Sequence, residues 1–405
     1  MPHSSPIRVQ VVIAGGGPVG TMAAYRLAER GIDVVVLESA AVCLEDMRAS
    51  TLHPPSLEML DELGLLPDLL RQGLKAPEYQ YRNRQTGATI ELDMTEIGDV
   101  TPYPFRLQCE QFKLTRLIAD KLAGHRHGRI VFSRRVVHFD QDTDGVTVTA
   151  ETPVGLETYR ADYLIAADGA NSVIRKWLNV DFSGFTYPEK FLTLSTAYPI
   201  DQHIPGLAHV AYVADANEWC VMLRVLDFWR ILVPATDDAD DAFLTGDAKK
   251  TSVLNGLVDG HGADVVTNHR TIYRVHQRVA NQYAHGRVVL AGDAAHLNNP
   301  LGGFGMNSGL HDAWNLTDKL TSILLDGDEA APLLAHYDRQ RRTVMNEFVQ
   351  TQTIQNKANM EASGENQRAL HQANLEAIAA DPERRHVYMQ TQAMISSRRR
   401  EAEIL

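Results

Sequence analysis

Gly15-x-Gly17-x-x-Gly20 follows the mostly apolar run 9–14 and precedes residues 21–30, where Ala23, Ala24, Leu27 and Ala28 recur at helical spacing. A continuous apolar run reads as a strand buried on both faces, as a parallel sheet requires. A glycine turn between such a strand and a helix can hold a pyrophosphate. Gly15 permits the tight turn, Gly17 admits a phosphate close to backbone amides, and Gly20 lets the helix pack on the sheet. Unpaired amides and the dipole at the helix start favour the negative charge. Gly31 suits a helix C-cap, and Val34-Val35-Val36-Leu37 reads as the next buried strand, closed by Glu38. Glu38 stands about 20 residues beyond the glycines, where an acid accepts from a ribose hydroxyl and repels a 2′-phosphate. FAD or NAD fits such a site and NADP does not.

Two further segments have related character. Tyr163 to Ala167 is a short apolar run ending in Asp168-Gly169, followed by a helical stretch carrying Arg175. Val288 to Ala291 is another, ending in Gly292-Asp293; Asn298-Asn299-Pro300-Leu301-Gly302-Gly303-Phe304-Gly305-Met306-Asn307 follows, then a helix over 308–324. Ligands of open α/β sheets collect at such strand ends. An ionised aspartate there is an acceptor for a sugar or ribityl hydroxyl. A proline and glycines ahead of a helix again expose amides at its positive end, which stabilises negative charge on a bound ring.

In order, spacing and context, these three segments resemble the single-component FAD-dependent aromatic hydroxylases, the group typified by para-hydroxybenzoate hydroxylase. The resemblance spans about residues 9–320. It implies bound FAD, NADH or NADPH as reducing co-substrate, and O2 as oxidant. It also implies hydroxylation of a phenolic or related, acid-bearing aromatic ring through a C4a-hydroperoxyflavin. For the cofactor it points to Gly15, Gly17, Pro18, Gly20, Glu38, Arg48, Gln108, Asp168 and Asp293, with Pro300, Gly302, Gly303, Gly305, Met306 and Asn307 around the ring. Where this family usually has a polar residue, Phe304 stands here. For the substrate it points to Tyr212 and to Arg224, a clamp for a carboxylate. Tyr273 and His276 are the residues expected to take the phenolic proton, His276 because its ordinary pKa lies near neutrality. No second nucleotide-binding glycine motif is present, in keeping with a group that lacks a nicotinamide domain.

Elements of another kind must position these residues. Residues 75–105 suggest a strand pair around the Thr86-Gly87 turn, residues 130–160 a hairpin or meander, and 190–275 several short strands separated by proline and aspartate turns. The expected fold is α/β: a Rossmann-like FAD-binding domain (1–74, 106–184 and 276–330), an inserted antiparallel substrate-binding sheet (75–105 and 185–275), and C-terminal helices (331–405). The substrate pocket is expected between the first two. The last helices carry Val387, Met389, Met394 and Ile395, an apolar stripe expected to pack on the body of the protein.

Composition narrows the classes. The chain has 405 residues, 44% hydrophobic, and a formal net charge of −12. That length supports a large core, and that charge argues against a nucleic-acid partner. No apolar stretch reaches the roughly 18 residues of a membrane span. The polar start, Met1 to Pro6, is unlike a cleaved signal peptide. Cys43, Cys109 and Cys220 are odd in number and widely spaced, without a metal or redox pattern, and read as reduced thiols of a cytoplasmic protein. A small aromatic substrate is the expected partner of a monomer or homodimer, with no metal. The alternatives are a hydroxylase of a hydroxypyridine or polyketide and, from another class, a non-catalytic flavin-binding sensor.

Overall fold

The structure, a computed structural model, describes residues 5–45, 47–215, 218–236, 238–361 and 365–405. Among these residues a six-stranded sheet runs in the order Ala284–His285, Val288–Leu290, Tyr163–Ala166, Val11–Ala14, Val34–Leu37 and Gly128–Val131. All but the first pairing are parallel. Its central strands are buried along their whole length, which is why they appear in sequence as unbroken Val, Ile, Leu and Ala. Helix Pro18–Glu29 starts with proline at its first turn, and its buried face holds Ala23, Ala24, Leu27 and Ala28. Across it lies helix Phe304–Thr321. The two are joined by Arg26, whose guanidinium sits 3.6 Å from the Trp314 ring centroid and donates to the Trp314 carbonyl (2.8 Å).

An eight-stranded sheet forms the second layer, in the order His296–Leu297, His269–Ala280, Phe182–Thr196, Trp229–Thr236, Cys220–Arg224, Val210–Ala214, Glu78–Asn83 and Thr89–Asp93. The hairpin at 78–93 joins it as expected. It does so through a parallel pairing of Glu78–Asn83 with Val210–Ala214, so the sheet is mixed rather than wholly antiparallel. These strands come from distant segments, and no hairpin turn dictates their relative direction. Period-two alternation divides the sheet. Tyr79, Phe191, Tyr212, Val221, Leu232 and Val275 face one way. Leu192, Ala211, Met222, Ile231 and Val233 face the other, under Val253 and Leu254 of helix Asp247–Asn255. The long strands Phe182–Thr196 and His269–Ala280 run through the divisions drawn at 184/185 and 275/276 and tie the two layers together.

Residues 135–161 form a meander with Ile7–Arg8, and Thr51–Leu52, Arg106–Gln108 and Leu74–Ala76 make a small three-stranded sheet. The C-terminal helices close the inner face of the large sheet: Met389 and Ile395 pack into the same cluster as Tyr79 and Tyr212, and Met394 into the main core. Val387 departs from that stripe and is 62% exposed. The helix it belongs to ends at Gln392, and Met394, at φ 64°, turns the chain into helix Ile395–Glu403.

Candidate active site

The three motif segments, scattered along the chain, wall one cavity of about 680 Å³. Gly15, at φ 101°, approaches so closely that a Cβ would lie 2.2 Å from the Ala167 carbonyl oxygen, and a Cβ on Gly20 would lie 2.1 Å from that of Gly15. Gly17 is different: nothing lies within 4 Å of where its Cβ would be. It faces open space beside Pro18 at the start of the helix. Glu38 closes its strand at the cavity edge and accepts from the amides of Gly16 (2.6 Å) and Ala40 (2.7 Å).

Asp168 caps the next helix through Oδ2, accepting from the Val173 amide (2.8 Å). Its Oδ1 is buried without a hydrogen-bond partner among the described residues. Burial raises its pKa, against the bonds from Ser172 and the helix amides. Arg175 ties this turn to the third segment, donating to the carbonyls of Ala170 (2.8 Å) and Ala294 (2.9 Å). Asp293 lines the cavity from a turn whose Gly292 amide donates to Asp312 (2.9 Å). Asp312 is buried and also accepts from His296 (2.6 Å) and Arg341 (2.7 Å), and Arg341 pairs in turn with Glu401. Burial works against ionisation of Asp312, but His296 and Arg341 more than offset it and hold its pKa low.

The loop from Pro300 brings Pro300, Gly305 and Met306 to the cavity. Gly302 and Gly303, at φ 106° and 72°, supply the left-handed turn that starts helix Phe304–Thr321. Asn307 points inward: it accepts from the His53 amide (2.9 Å) and donates to the Thr51 carbonyl (2.9 Å), pinning the small sheet to the helix. Phe304 is fully buried against His53 and Phe348, so its apolar side chain belongs to the core. His53 Nε2 donates to the Gly302 carbonyl (2.8 Å), and its pKa falls to about 3 through burial and then the nearby Arg106.

The remaining expected residues divide between the cavity and the sheets. Arg48 lies on the cavity wall. Gln108 does not; it is buried and accepts from the Thr51 hydroxyl (3.0 Å). The glutamine on the wall is Gln111, at the start of helix Gln111–Leu122. Tyr212 faces the inner side of the large sheet, stacked on Tyr81 at 5.0 Å. Arg224 faces the opposite side, because the alternation that turns Leu223 inward turns it outward; its guanidinium lies 5.7 Å from the Trp229 ring. Tyr273 reaches both the cavity and the inner face, stacked on Phe191 at 6.0 Å. Burial pushes its pKa up to about 12 against the pull of Arg230, so it is a neutral phenol. His276 sits at the cavity rim beside the Thr186 hydroxyl (2.9 Å), its pKa lowered by burial and by Arg278 and Arg274.

A cavity walled by a glycine turn, two strand-end aspartates and a glycine-rich helix start has the donor set of a dinucleotide. The orphaned Asp168 oxygen and the open space at Gly17 fit FAD. The fold and the site define a flavin-binding oxidoreductase. Residues 8–352 match the FAD-binding-domain family, and the chain belongs to it, among the FAD-dependent aromatic hydroxylases. It is 32% identical over 375 residues to para-nitrophenol 4-monooxygenase of Pseudomonas sp. (strain WBC-3), covering 92% of each chain. It is 30% identical over 359 residues to 6-hydroxy-3-succinoylpyridine 3-monooxygenase of Pseudomonas putida, covering 87% of this chain and 89% of the other. The crystal structure of p-nitrophenol 4-monooxygenase from Pseudomonas putida DLL-E4 superposes with a TM-score of 0.89 at 29% identity, covering 96% and 99% of the two chains.

Proposed function

We propose that this flavoprotein monooxygenase hydroxylates a small phenol or hydroxypyridine. The balance is one NAD(P)H, one O2, one proton and one aromatic C–H converted to NAD(P)+, water and an aromatic C–O–H. The observation that carries the reading is the joining of the three-walled cavity to the tyrosine-rich inner face of the large sheet through Tyr273 and Leu301. That junction sets an aromatic cluster against the cavity that holds the cofactor. Relatives named for nitrophenol and for a hydroxypyridine, each matched over most of its length, support those substrate classes.

FAD, when bound, supplies the electron transfer from NAD(P)H and the activation of O2. The chain's own groups bind and orient. Glu38 takes the ribose, the amides of the Gly15–Gly17 turn and helix Pro18–Glu29 the pyrophosphate, and Asp293 the ribityl chain. Pro300, Gly305 and Met306 would lie along the flavin, and the helix start there would stabilise negative charge. Tyr273, neutral and half-buried, offers a hydrogen bond on the substrate side, and His276 exchanges protons with solvent at the rim. Reduced thiols at Cys43, Cys109 and Cys220 are in keeping with a cytoplasmic enzyme, and no helix among the described residues is long and apolar enough to cross a membrane.

The test follows NAD(P)H oxidation by the purified yellow protein against nitrophenols, hydroxybenzoates, hydroxyphenylpropionates and hydroxypyridines, with product and peroxide quantified together. Oxidation stimulated by one class, with hydroxylated product and little peroxide, is the expected result. A flavin-loaded protein that no aromatic stimulates would turn the reading towards a non-catalytic flavin sensor. Failure to bind FAD at all would sink it.

A further inference from the structure

Arg106 is 1% exposed on the short strand Arg106–Gln108, with its guanidinium 4.3 Å from the Tyr79 ring centroid. Its Nε and Nη2 have no hydrogen-bond partner among the described residues. Other buried arginines meet carboxylates or carbonyls: Arg341 Asp312 and Glu401, Arg26 Asp318 and a carbonyl (its Nε alone is unpaired), Arg175 two carbonyls. Around Arg106 stand phenols, not carboxylates. Tyr81 and Tyr212 stack at 5.0 Å, Tyr79 meets both edge-on, and the Tyr81 hydroxyl lies 3.1 Å from that of Tyr388. Burial first, and neighbouring phenols next, raise Tyr79, Tyr81 and Tyr388 well above the ordinary phenol value. They are neutral donors and cannot serve as counter-ions. His53, also nearby, is neutral too. Tyr212 hydrogen-bonds the guanidinium, but a buried cation without a counter-charge is strongly unfavourable, so this one is complementary to an anion that the described residues around it do not provide.

Its place in the fold says which anion. Tyr79 and Tyr212 share a packed cluster with Leu301, next to Pro300 of the cavity loop, and with Tyr273 of the cavity wall. The patch therefore lies on the substrate side of the cofactor cavity, with aromatic faces to hold a ring and a planar guanidinium suited to two acceptor oxygens or one concentrated charge. We propose that Arg106, with the hydroxyl of Tyr212 beside it, forms the subsite that binds the substrate's oxyanion, phenolate or carboxylate. This assignment rests on the monooxygenase reading for the nature of the ligand. It makes Arg106, not the outward-facing Arg224, the residue that selects charged aromatics.

The experiment measures ligand binding to the FAD-loaded protein without NAD(P)H, so no turnover intervenes. The probes are 4-nitrophenol, whose ionised form is visible in difference spectra, benzoate, and its neutral isostere benzamide. Wild type is expected to bind benzoate at least tenfold more tightly than benzamide, or to lower the pKa of bound 4-nitrophenol by about one unit. Arg106→Met should abolish whichever preference is seen while changing benzamide binding less than twofold, and Arg106→Lys should restore part of it. Dependence confined to benzoate assigns a carboxylate; dependence confined to 4-nitrophenol assigns a phenolate. The ligand-free Arg106→Met protein should melt no lower than wild type. Should it lose FAD, Arg106→Lys and Tyr212→Phe carry the same comparison at full flavin content. Equal loss for all three probes, unchanged binding, or no charge preference in wild type overturns the assignment. Stimulated NAD(P)H oxidation is recorded separately. Arg106-dependent, charge-selective binding without it would sink the monooxygenase reading alone, and hydroxylation indifferent to Arg106 would sink the subsite alone.

Discussion

Two glycines of one motif do opposite things, and substitution separates them. A methyl on Gly20 collides with the backbone of Gly15, whereas a methyl on Gly17 enters open space. Gly20→Ala is expected to lower the thermal midpoint even without flavin. Gly17→Ala should leave the ligand-free midpoint unchanged and weaken FAD binding tenfold or more, read by flavin fluorescence titration. The glutamines divide likewise. Gln111→Ala should release flavin at near-normal stability, while Gln108→Ala leaves the buried Thr51 hydroxyl unpaired and costs about 1–3 kcal/mol in urea unfolding. His53 makes the fold acid-sensitive. Its folded pKa of about 3 lies below the ordinary histidine value, so the stability it contributes is complete above about pH 6.5 and falls on acidification, by about 1.4 kcal/mol per pH unit. Buried His311 is shifted in the same direction. Urea unfolding between pH 7 and 5 should show this slope reduced by about one proton in His53→Gln.

Among the elements, the critical joint is between helix Phe304–Thr321 and the C-terminal helices. Asp312 holds the Gly292 amide on one side and Arg341 on the other, and Arg341 holds Glu401. Breaking one member of a buried pair leaves the other uncompensated, at about 3–5 kcal/mol. Asp312→Asn should show that loss in chemical denaturation, together with faster flavin release from the disturbed Asp293 turn. This joint also shows what sequence carries. The cofactor walls were legible because a glycine turn, a strand-end acid and a helix are contiguous, so local chemistry announces them. The strands at 11–14 and 34–37 followed from the same local signals. What was hidden depends on facing. Arg224 and Arg106 are both strand arginines; the register of the large sheet turns Arg224 away from the tyrosine cluster, and the packing of the small sheet buries Arg106 against Tyr79. Gln108 and Gln111 are three residues apart, and the start of a helix decides between them. Glu401 had no signal at all, because its partners are distant in sequence.

At the scale of the whole molecule, the cofactor cavity is the meeting place of segments that the chain order keeps apart. Val42 and Leu44, 61% and 65% exposed, lie along its edge. Filling the cavity should stabilise the entire fold, by about 4 kcal/mol with FAD at a thousand times its dissociation constant. Stripping the flavin is expected to lower the calorimetric midpoint and to open the chain at Val42 to Leu44 to protease, and adding FAD should reverse both. The net charge of −12 repels an anionic substrate at long range, and Arg48, Arg134, Arg135 and Arg274 along the cavity offset that repulsion locally.

The Asp312–Arg341–Glu401 chain has a consequence for biosynthesis. The Gly292 turn leaves the ribosome well before Glu401 is translated, so the nascent protein makes both ends of the flavin site long before it can lock them. Flavin capture is thus set late, after the final helix docks, and a prematurely terminated chain lacking that helix would emerge folded in its first layer yet poorly able to retain its yellow colour.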